Sequence, residues 1–91
     1  MELTAAQVRE AVVEDAAEID PGIQIGTPQY DLVCDTWYVP MRRVADVVSL
    51  APLTRKLCED RFGPRARQAE WEAKLRHSAR EVTPGQKLPG E

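Results

Sequence analysis

Residues 30–40, read YDLVCDTWYVP, limit the fold of this chain most, because they form its only sustained run of β-favouring residues. Side chains alternate along a strand, so the run has two faces. One face is apolar throughout and is expected to lie on the core: Tyr30, Leu32, Cys34, Thr36 and Tyr38. The other begins polar and ends apolar: Asp31, Val33, Asp35, Trp37 and Val39. Pro40 has no N–H for a β-ladder and is expected to end the strand.

The only other strand candidate is the segment 23–25, joined to this run through residues 26–29. Thr27 and Pro28 do not suit a tight two-residue turn, which needs positive φ, so a four-residue loop is expected. That loop pairs Ile25 with Tyr30 and leaves residues 34–39 without a partner. Because an isolated hairpin is marginally stable and an open edge attracts further strands, the sequence predicts completion by another polypeptide. The simplest candidate is a second copy pairing antiparallel around residues 34–39.

The first helix has clear signals at both ends. Thr4 and Gln7 have the spacing of a capping box, and Asp20 is followed by Pro and Gly, which stop a helix. The pattern predicts a helix to about Ile19. Its buried stripe is expected to contain Ala5, Val8, Val12, Ala16 and Ile19.

The second half of the chain is predicted to be helical. Pro40 is expected to open a second helix with Met41, Val44, Ala45 and Val48 on its buried side, because proline is tolerated at a helix start. Pro52 should end that helix and begin a third, which stops before Gly63 and Pro64. A fourth helix is expected over residues 65–82. Its buried side should contain Trp71, Leu75, Ser78 and Val82.

These elements predict one small α+β domain over residues 1–83. It has an N-terminal helix, one β-hairpin and two or three further helices, followed by a disordered tail over residues 84–91. The chain has 91 residues, of which 43% are hydrophobic and 30% charged, which is typical of a soluble globular domain. No apolar run reaches the roughly 18 residues of a membrane span, and the N-terminus lacks the layout of a signal peptide. We therefore expect a cytoplasmic protein.

The residue pattern does not predict catalysis. Cys58 and His77 are the only candidates for a thiol–imidazole pair, and Cys58 falls on an apolar helix side, where a thiol is inert. Phosphate-binding loops, serine elbows and acidic metal clusters are all missing from the sequence. Cys34 and Cys58 are expected to be reduced thiols, and too few ligands accompany them for a zinc site. We expect no enzyme activity, no cofactor and no metal.

One hypothesis for function is DNA binding. Residues 42–62 have the spacing of a helix–turn–helix, whose second helix would enter the major groove. The DNA-contacting residues would be Arg42, Arg43, Thr54, Arg55, Lys56 and Arg61. Against this, Arg55 stands where a branched apolar residue is usual, and the sequence pI of 5.2 lacks the basic footprint of a DNA binder.

The favoured hypothesis is a protein-binding module such as an inhibitor, adaptor or assembly component, forming a homodimer or a hetero-complex. Tryptophan, tyrosine and arginine concentrate binding energy at interfaces, and here they surround the unpaired strand. The residues expected at the interface are Tyr30, Val33, Trp37, Tyr38, Val39, Arg42 and Arg43. Residues 1–41 hold eight acidic residues and one basic residue, whereas residues 42–91 hold eleven basic and seven acidic. Small chains without motifs are typical of phage and other mobile elements, where inhibitors are common.

Overall fold

The structure, a computed structural model, describes residues 2–43, 48–63 and 68–82. These residues form three helices and four strands, so the predicted α+β class is confirmed. In chain order the elements are α1 (Ala5–Ile19), β1 (Gln24–Ile25), β2 (Gln29–Asp31), β3 (Thr36–Arg42), β4 (Val48–Thr54), α2 (Arg55–Arg61) and α3 (Gln68–Glu81). The predicted tail, residues 84–91, lies outside the described residues.

Helix α1 forms as the sequence predicts. The Thr4 hydroxyl accepts from the Gln7 amide at 3.2 Å, and the Gln7 side chain accepts from the Thr4 amide at 2.8 Å, which completes the capping box. The buried stripe consists of Val8, Ala11, Val12 and Ala16. Ala5 and Ile19, at the two ends of the helix, pack against the core while partly exposed.

Strand β3 is the centre of the antiparallel sheet. β2 pairs with its first half, with Tyr30 opposite Trp37, and β1 pairs with its second half, with Ile25 opposite Met41. β4 pairs along the whole opposite side of β3. Ile25 therefore lies opposite Met41 and not opposite Tyr30, and the predicted pairing of the segment 23–25 with the residues after Tyr30 is wrong.

The single strand predicted over residues 30–39 is broken by a turn at residues 32–35. The Asp31 carboxylate accepts from the amides of Val33 at 2.9 Å and Cys34 at 3.3 Å, and this Asx turn bends the chain directly after Asp31. Asp35 then takes φ 52°, a left-handed conformation that aspartate tolerates. The chain reverses, and β2 and β3 form a hairpin.

The turn also inverts the predicted faces of the strand in β3, the part that follows it. Trp37, Val39 and Met41 point into the core, whereas Leu32 and Cys34, which were expected there, are exposed. The prediction is wrong for Leu32, Cys34 and Tyr38, because side chains do not alternate through the turn, where the backbone is not extended. Thr36 is buried and Tyr30 packs against the core, as predicted. Counting from Thr36 onward gives the observed face.

Pro40 lies in the middle of β3, so the prediction that it ends the strand is wrong. Its carbonyl accepts from the Gly26 amide at 2.8 Å, in the gap between β1 and β2. In an antiparallel strand, the nitrogen of a residue points to the same side as its carbonyl. The missing N–H of Pro40 therefore faces Gly26 in this gap, and the pairing of β3 with β4 loses no hydrogen bond. A Cβ at Gly26 would lie 3.1 Å from the Pro40 ring, so glycine permits the close approach.

The predicted second helix is also wrong. Met41 belongs to β3 and Val48 to β4, while Val44 and Ala45 lie outside the described residues. Ser49, Ala51 and Leu53 of β4 point inward and are buried. β4 is thus the strand that pairs with the second side of β3, and the prediction that residues 34–39 lack a partner within the chain is wrong.

The three helices pack on one face of the sheet. α3 contacts β4, β3, α1 and α2, and α2 begins directly after β4, where the Thr54 hydroxyl accepts from the Leu57 amide at 3.1 Å. The predicted buried side of the last helix is confirmed at Trp71, Leu75, Ser78 and Val82. The sheet contributes Trp37, Val39, Met41, Ala51 and Leu53 to the same core.

Asp15 joins the three helices through a half-buried carboxylate. It accepts from Arg61 Nε on α2 at 2.7 Å and from Trp71 Nε1 on α3 at 2.6 Å. The Asp15 and Arg61 side chains are only 20% and 16% exposed. Hydrogen bonding to Asp15 raises the pKa of Arg61, so the arginine stays charged.

Replacing Asp15 should destabilise the fold markedly. Asp15→Ala leaves the Trp71 N–H and the Arg61 guanidinium without their acceptor, which should cost about 2–3 kcal/mol of unfolding free energy after allowance for partial exposure. Urea denaturation followed by circular dichroism measures the change. Glu10→Ala, an exposed position on α1, serves as control and should shift stability by less than about 0.5 kcal/mol. An Asp15→Ala variant as stable as this control would contradict the assignment.

Candidate protein-binding surface

The side of the sheet that points away from the helices is called here the outer face. It consists of cross-strand pairs from β3 and β4: Tyr38 with Pro52, Pro40 with Leu50, and Arg42 with Val48. Gln29 and Gln24 lie beside it on β2 and β1, opposite Tyr38 and Arg42. Directly opposite residues share a face of a sheet, so these side chains form one surface.

The outer face exposes large apolar side chains. Val48 is 52% exposed and Leu50 is 56% exposed, although Val48 begins the regular strand β4 and Leu50 lies within it. In β4 the small residues Ser49 and Ala51 point inward beneath α3, while the larger Val48 and Leu50 point outward. Contiguous exposed apolar side chains mark interaction sites more often than chance, so this inversion points to a binding surface.

Opposite charges lie at the two ends of the outer face. Arg42 is exposed at the end of β3, and within the described parts of the chain it makes no ion pair. Asp31 lies opposite Thr36 at the other end, and its Oδ1 accepts the turn amides. The face therefore has an apolar centre, a basic end and an acidic end.

The hairpin turn adds exposed apolar side chains beside the acidic end. Leu32 is 83% exposed and Val33 is 94% exposed.

The nearby Cys34 thiol, burial and the Asp31 charge raise the pKa of Tyr38, so its phenol stays protonated. The Tyr38 phenol is thus a neutral hydrogen-bonding group beside Cys34 at the edge of the apolar centre.

Asp35 fixes the hairpin to α2. The Arg55 amide donates to the Asp35 carbonyl at 2.8 Å, and Arg55 Nε donates to the Asp35 carboxylate at 2.8 Å and 3.1 Å. The Tyr30 hydroxyl donates to the same carboxylate. Hydrogen bonds from Arg55 and then Tyr30 lower the pKa of Asp35, whereas the bond to Asp35 raises the pKa of Tyr30. These contacts hold the turn in one position relative to the helix layer.

A cleft of about 600 Å³ opens between this hairpin, the start of α1 and α2. Tyr30 and Trp37 form its aromatic wall, with ring centroids 5.1 Å apart. The remaining lining residues are Glu2, Leu3, Thr4, Leu32, Arg55 and Glu59. The carboxylates of Glu2, Glu59 and Asp35 outnumber the Arg55 guanidinium, so the local charge disfavours an anionic ligand.

The predicted interface residues separate into two groups. Tyr38 and Arg42 lie on the outer face, and Val33 lies at the tip of the turn. Trp37 and Val39 are buried in the core of the same chain, so their expected burial by a second polypeptide is wrong. Two more residues are also engaged within the chain: Tyr30 stacks on Trp37, and Arg43 pairs with Asp20.

The helix–turn–helix predicted over residues 42–62 is wrong, because residues 48–54 form β4. Of its predicted DNA contacts, Arg55 pairs with Asp35 and Glu59, Arg61 pairs with Asp15, and Thr54 caps α2. Lys56 is exposed on the first turn of α2. Arg43 pairs with Asp20, whereas Arg42 is exposed and makes no ion pair among the described residues. With three of the four arginines held in internal ion pairs, they do not form a cationic stripe.

The thiol and imidazole considered for catalysis do not meet. Cys58 is buried, with its sulfur 3.9 Å from the Leu53 carbonyl, and burial raises the pKa of its thiol to about 12. His77 is exposed on α3 and pairs with Glu81 at 3.2 Å. In the part of the chain that the structure describes, no group of three or more metal-ligating side chains comes together.

Comparison of the chain with protein-family models, curated proteins and solved structures gives no match. No helix within the described residues is long and apolar enough to cross a membrane.

Most of the apolar centre of the outer face was not predicted from the sequence. Pro40, Val48, Leu50 and Pro52 were assigned to helices or helix boundaries. The alternation in VSLAPLT over residues 48–54 was the signal that could have identified the strand. It was obscured because Val48 and Leu50 face solvent, whereas the inward Ser49 and Ala51 are small.

Acid should weaken the contact between the hairpin and α2. The pKa of Asp35 lies below its ordinary value of 3.8 in the folded chain. Its ionised carboxylate therefore stabilises the fold above about pH 4, and this contribution is lost as pH falls through the folded pKa. Wild type should be more stable than Asp35→Asn in urea at pH 7, with the gap closing below pH 4. A gap unchanged between pH 7 and pH 2 would contradict this role. The exposed Glu10→Gln is the control.

The two thiols should differ sharply in reactivity. Cys34 is exposed, whereas Cys58 is buried with its pKa raised to about 12. A disulfide reagent such as dithionitrobenzoate should modify one thiol rapidly in the native protein and the second only in denaturant. Cys34→Ser should abolish the fast phase. Rapid release of two equivalents from native protein would contradict the burial of Cys58.

Proposed function

We propose that this protein is a non-enzymatic protein-binding module whose binding surface is the outer face of its sheet. The observation that supports this most strongly is the exposure of Val48 and Leu50 beside Tyr38, Pro40 and Pro52 on a regular sheet. An apolar centre with polar and charged surroundings is the usual composition of a protein interface.

The rigidity of the face also supports this function. Its strands are paired along their whole length, and its inner side packs on the helices, so binding requires little ordering of backbone. Tyrosine and arginine, the residue types that concentrate interface energy, are both present at Tyr38 and Arg42. An inhibitor, adaptor or assembly component would each use such a surface.

DNA binding is not favoured by the arrangement of charges. The helix–turn–helix that motivated it is replaced by β4, and Arg43, Arg55 and Arg61 are held in internal ion pairs. The outer face presents one arginine and an acidic end, which does not match a phosphate backbone. A protein partner fits its apolar centre better.

Site-specific photo-crosslinking tests the proposal even though the partner is unidentified. A benzoylphenylalanine at position 50 should crosslink to a discrete polypeptide in the cells from which the chain comes, because this position lies at the centre of the face. The matched control is position 13 on α1, where Val13 is 39% exposed. If position 50 gives no more crosslinked polypeptide than position 13, the proposed function is wrong.

A further inference from the structure

We infer that the outer face binds a second copy of this chain, with the two sheets packed face to face and their β3 strands antiparallel. This inference rests on the proposed function and commits it to one partner. It differs from the edge-to-edge pairing predicted from the sequence, because both sides of β3 are already paired within the chain.

The residues of the outer face are arranged so that a twofold axis can relate two copies. The axis would lie parallel to the sheet and perpendicular to β3, above Val39, which is midway between Thr36 and Arg42. It would place Tyr38 and Pro52 of one copy over Pro40 and Leu50 of the other. All four positions carry apolar surface, so each copy would cover the exposed side chains of its partner.

The charges at the two ends of the face fit the same axis. Arg42 lies six residues along β3 from Thr36, the residue opposite Asp31, which is about 20 Å at strand spacing. Reversing one strand over the other brings Arg42 of each copy to the acidic end of its partner. Two equivalent ion pairs would then flank the apolar centre. A parallel arrangement would instead place like charges together, which is unfavourable.

The size of the face indicates a weak dimer. Three strands in width and seven residues in length correspond to roughly 14 Å by 23 Å, a footprint on the order of 300 Å². This is well below the roughly 800 Å² per partner of a standard interface. We therefore expect a dissociation constant of tens to hundreds of micromolar and a readily reversible monomer–dimer equilibrium.

Sedimentation velocity from about 10 to 1,000 μM, a range chosen around that weak affinity, tests the inference. Wild type should shift from monomer to dimer, and Leu50→Lys should raise the dissociation constant at least about tenfold by placing a charge in the apolar centre. The matched substitution Val13→Lys, on α1, should leave it unchanged. Arg42→Asp should weaken the dimer several-fold at low salt, with a smaller difference at high salt.

A wild-type chain that stays monomeric throughout this range would overturn the inference. A dimer whose dissociation constant does not change with Leu50→Lys would overturn it as well. A dimer sensitive to Leu50→Lys but not to Arg42→Asp would overturn the antiparallel arrangement. Circular dichroism of each variant confirms the fold. If the chain is monomeric and position 50 crosslinks to a different protein in cells, the second-copy inference fails while the proposed function stands.

Discussion

The reversal of the chain between Asp31 and Asp35 determines the rest of the architecture. Asp31 binds the turn amides and Asp35 supplies the left-handed residue, so β2 folds back onto β3. Arg55 then ties the turn to the start of α2. With the hairpin fixed, β3 lies between β2 and β1 on one side and β4 on the other. Its inner residues meet the helices, and its outer residues are left to solvent.

The two layers of the protein differ in how far their side chains are covered. Asp15 holds α1, α2 and α3 together through Arg61 and Trp71, so the helix layer is internally complete. The sheet has no equivalent cover on its outer side among the described residues. In the first half of β4, the exposed Val48 and Leu50 are larger and more apolar than the inward Ser49 and Ala51, although the inward Leu53 is fully buried. That imbalance is the basis of the proposed interface.

The sequence predicted the features that depend on local signals. The capping box of α1 and the buried stripe of α3 follow from residues close together in the chain. The sheet was predicted less well. The local pattern predicts a continuous strand where Asp31 forms an Asx turn, and it predicts a strand end at Pro40, which lies inside β3. Tyr38 and Arg42 were identified, but Leu50 and its neighbours were not. Their exposure depends on which side of β4 the helices cover, which is a tertiary property.

The face-to-face dimer can be observed by an isotope-filtered NOE experiment on an equal mixture of ¹³C-labelled and unlabelled chain at millimolar concentration. The filter retains only contacts between different copies. We expect contacts from the Tyr38 ring of one copy to the Leu50 methyl groups of the other. The twofold axis lies between the cross-strand pair Tyr38–Pro52 and the pair Pro40–Leu50, so it places these pairs over each other. Filtered spectra without such contacts, or with contacts from the α1 surface around Val13 instead, would contradict the proposed dimer.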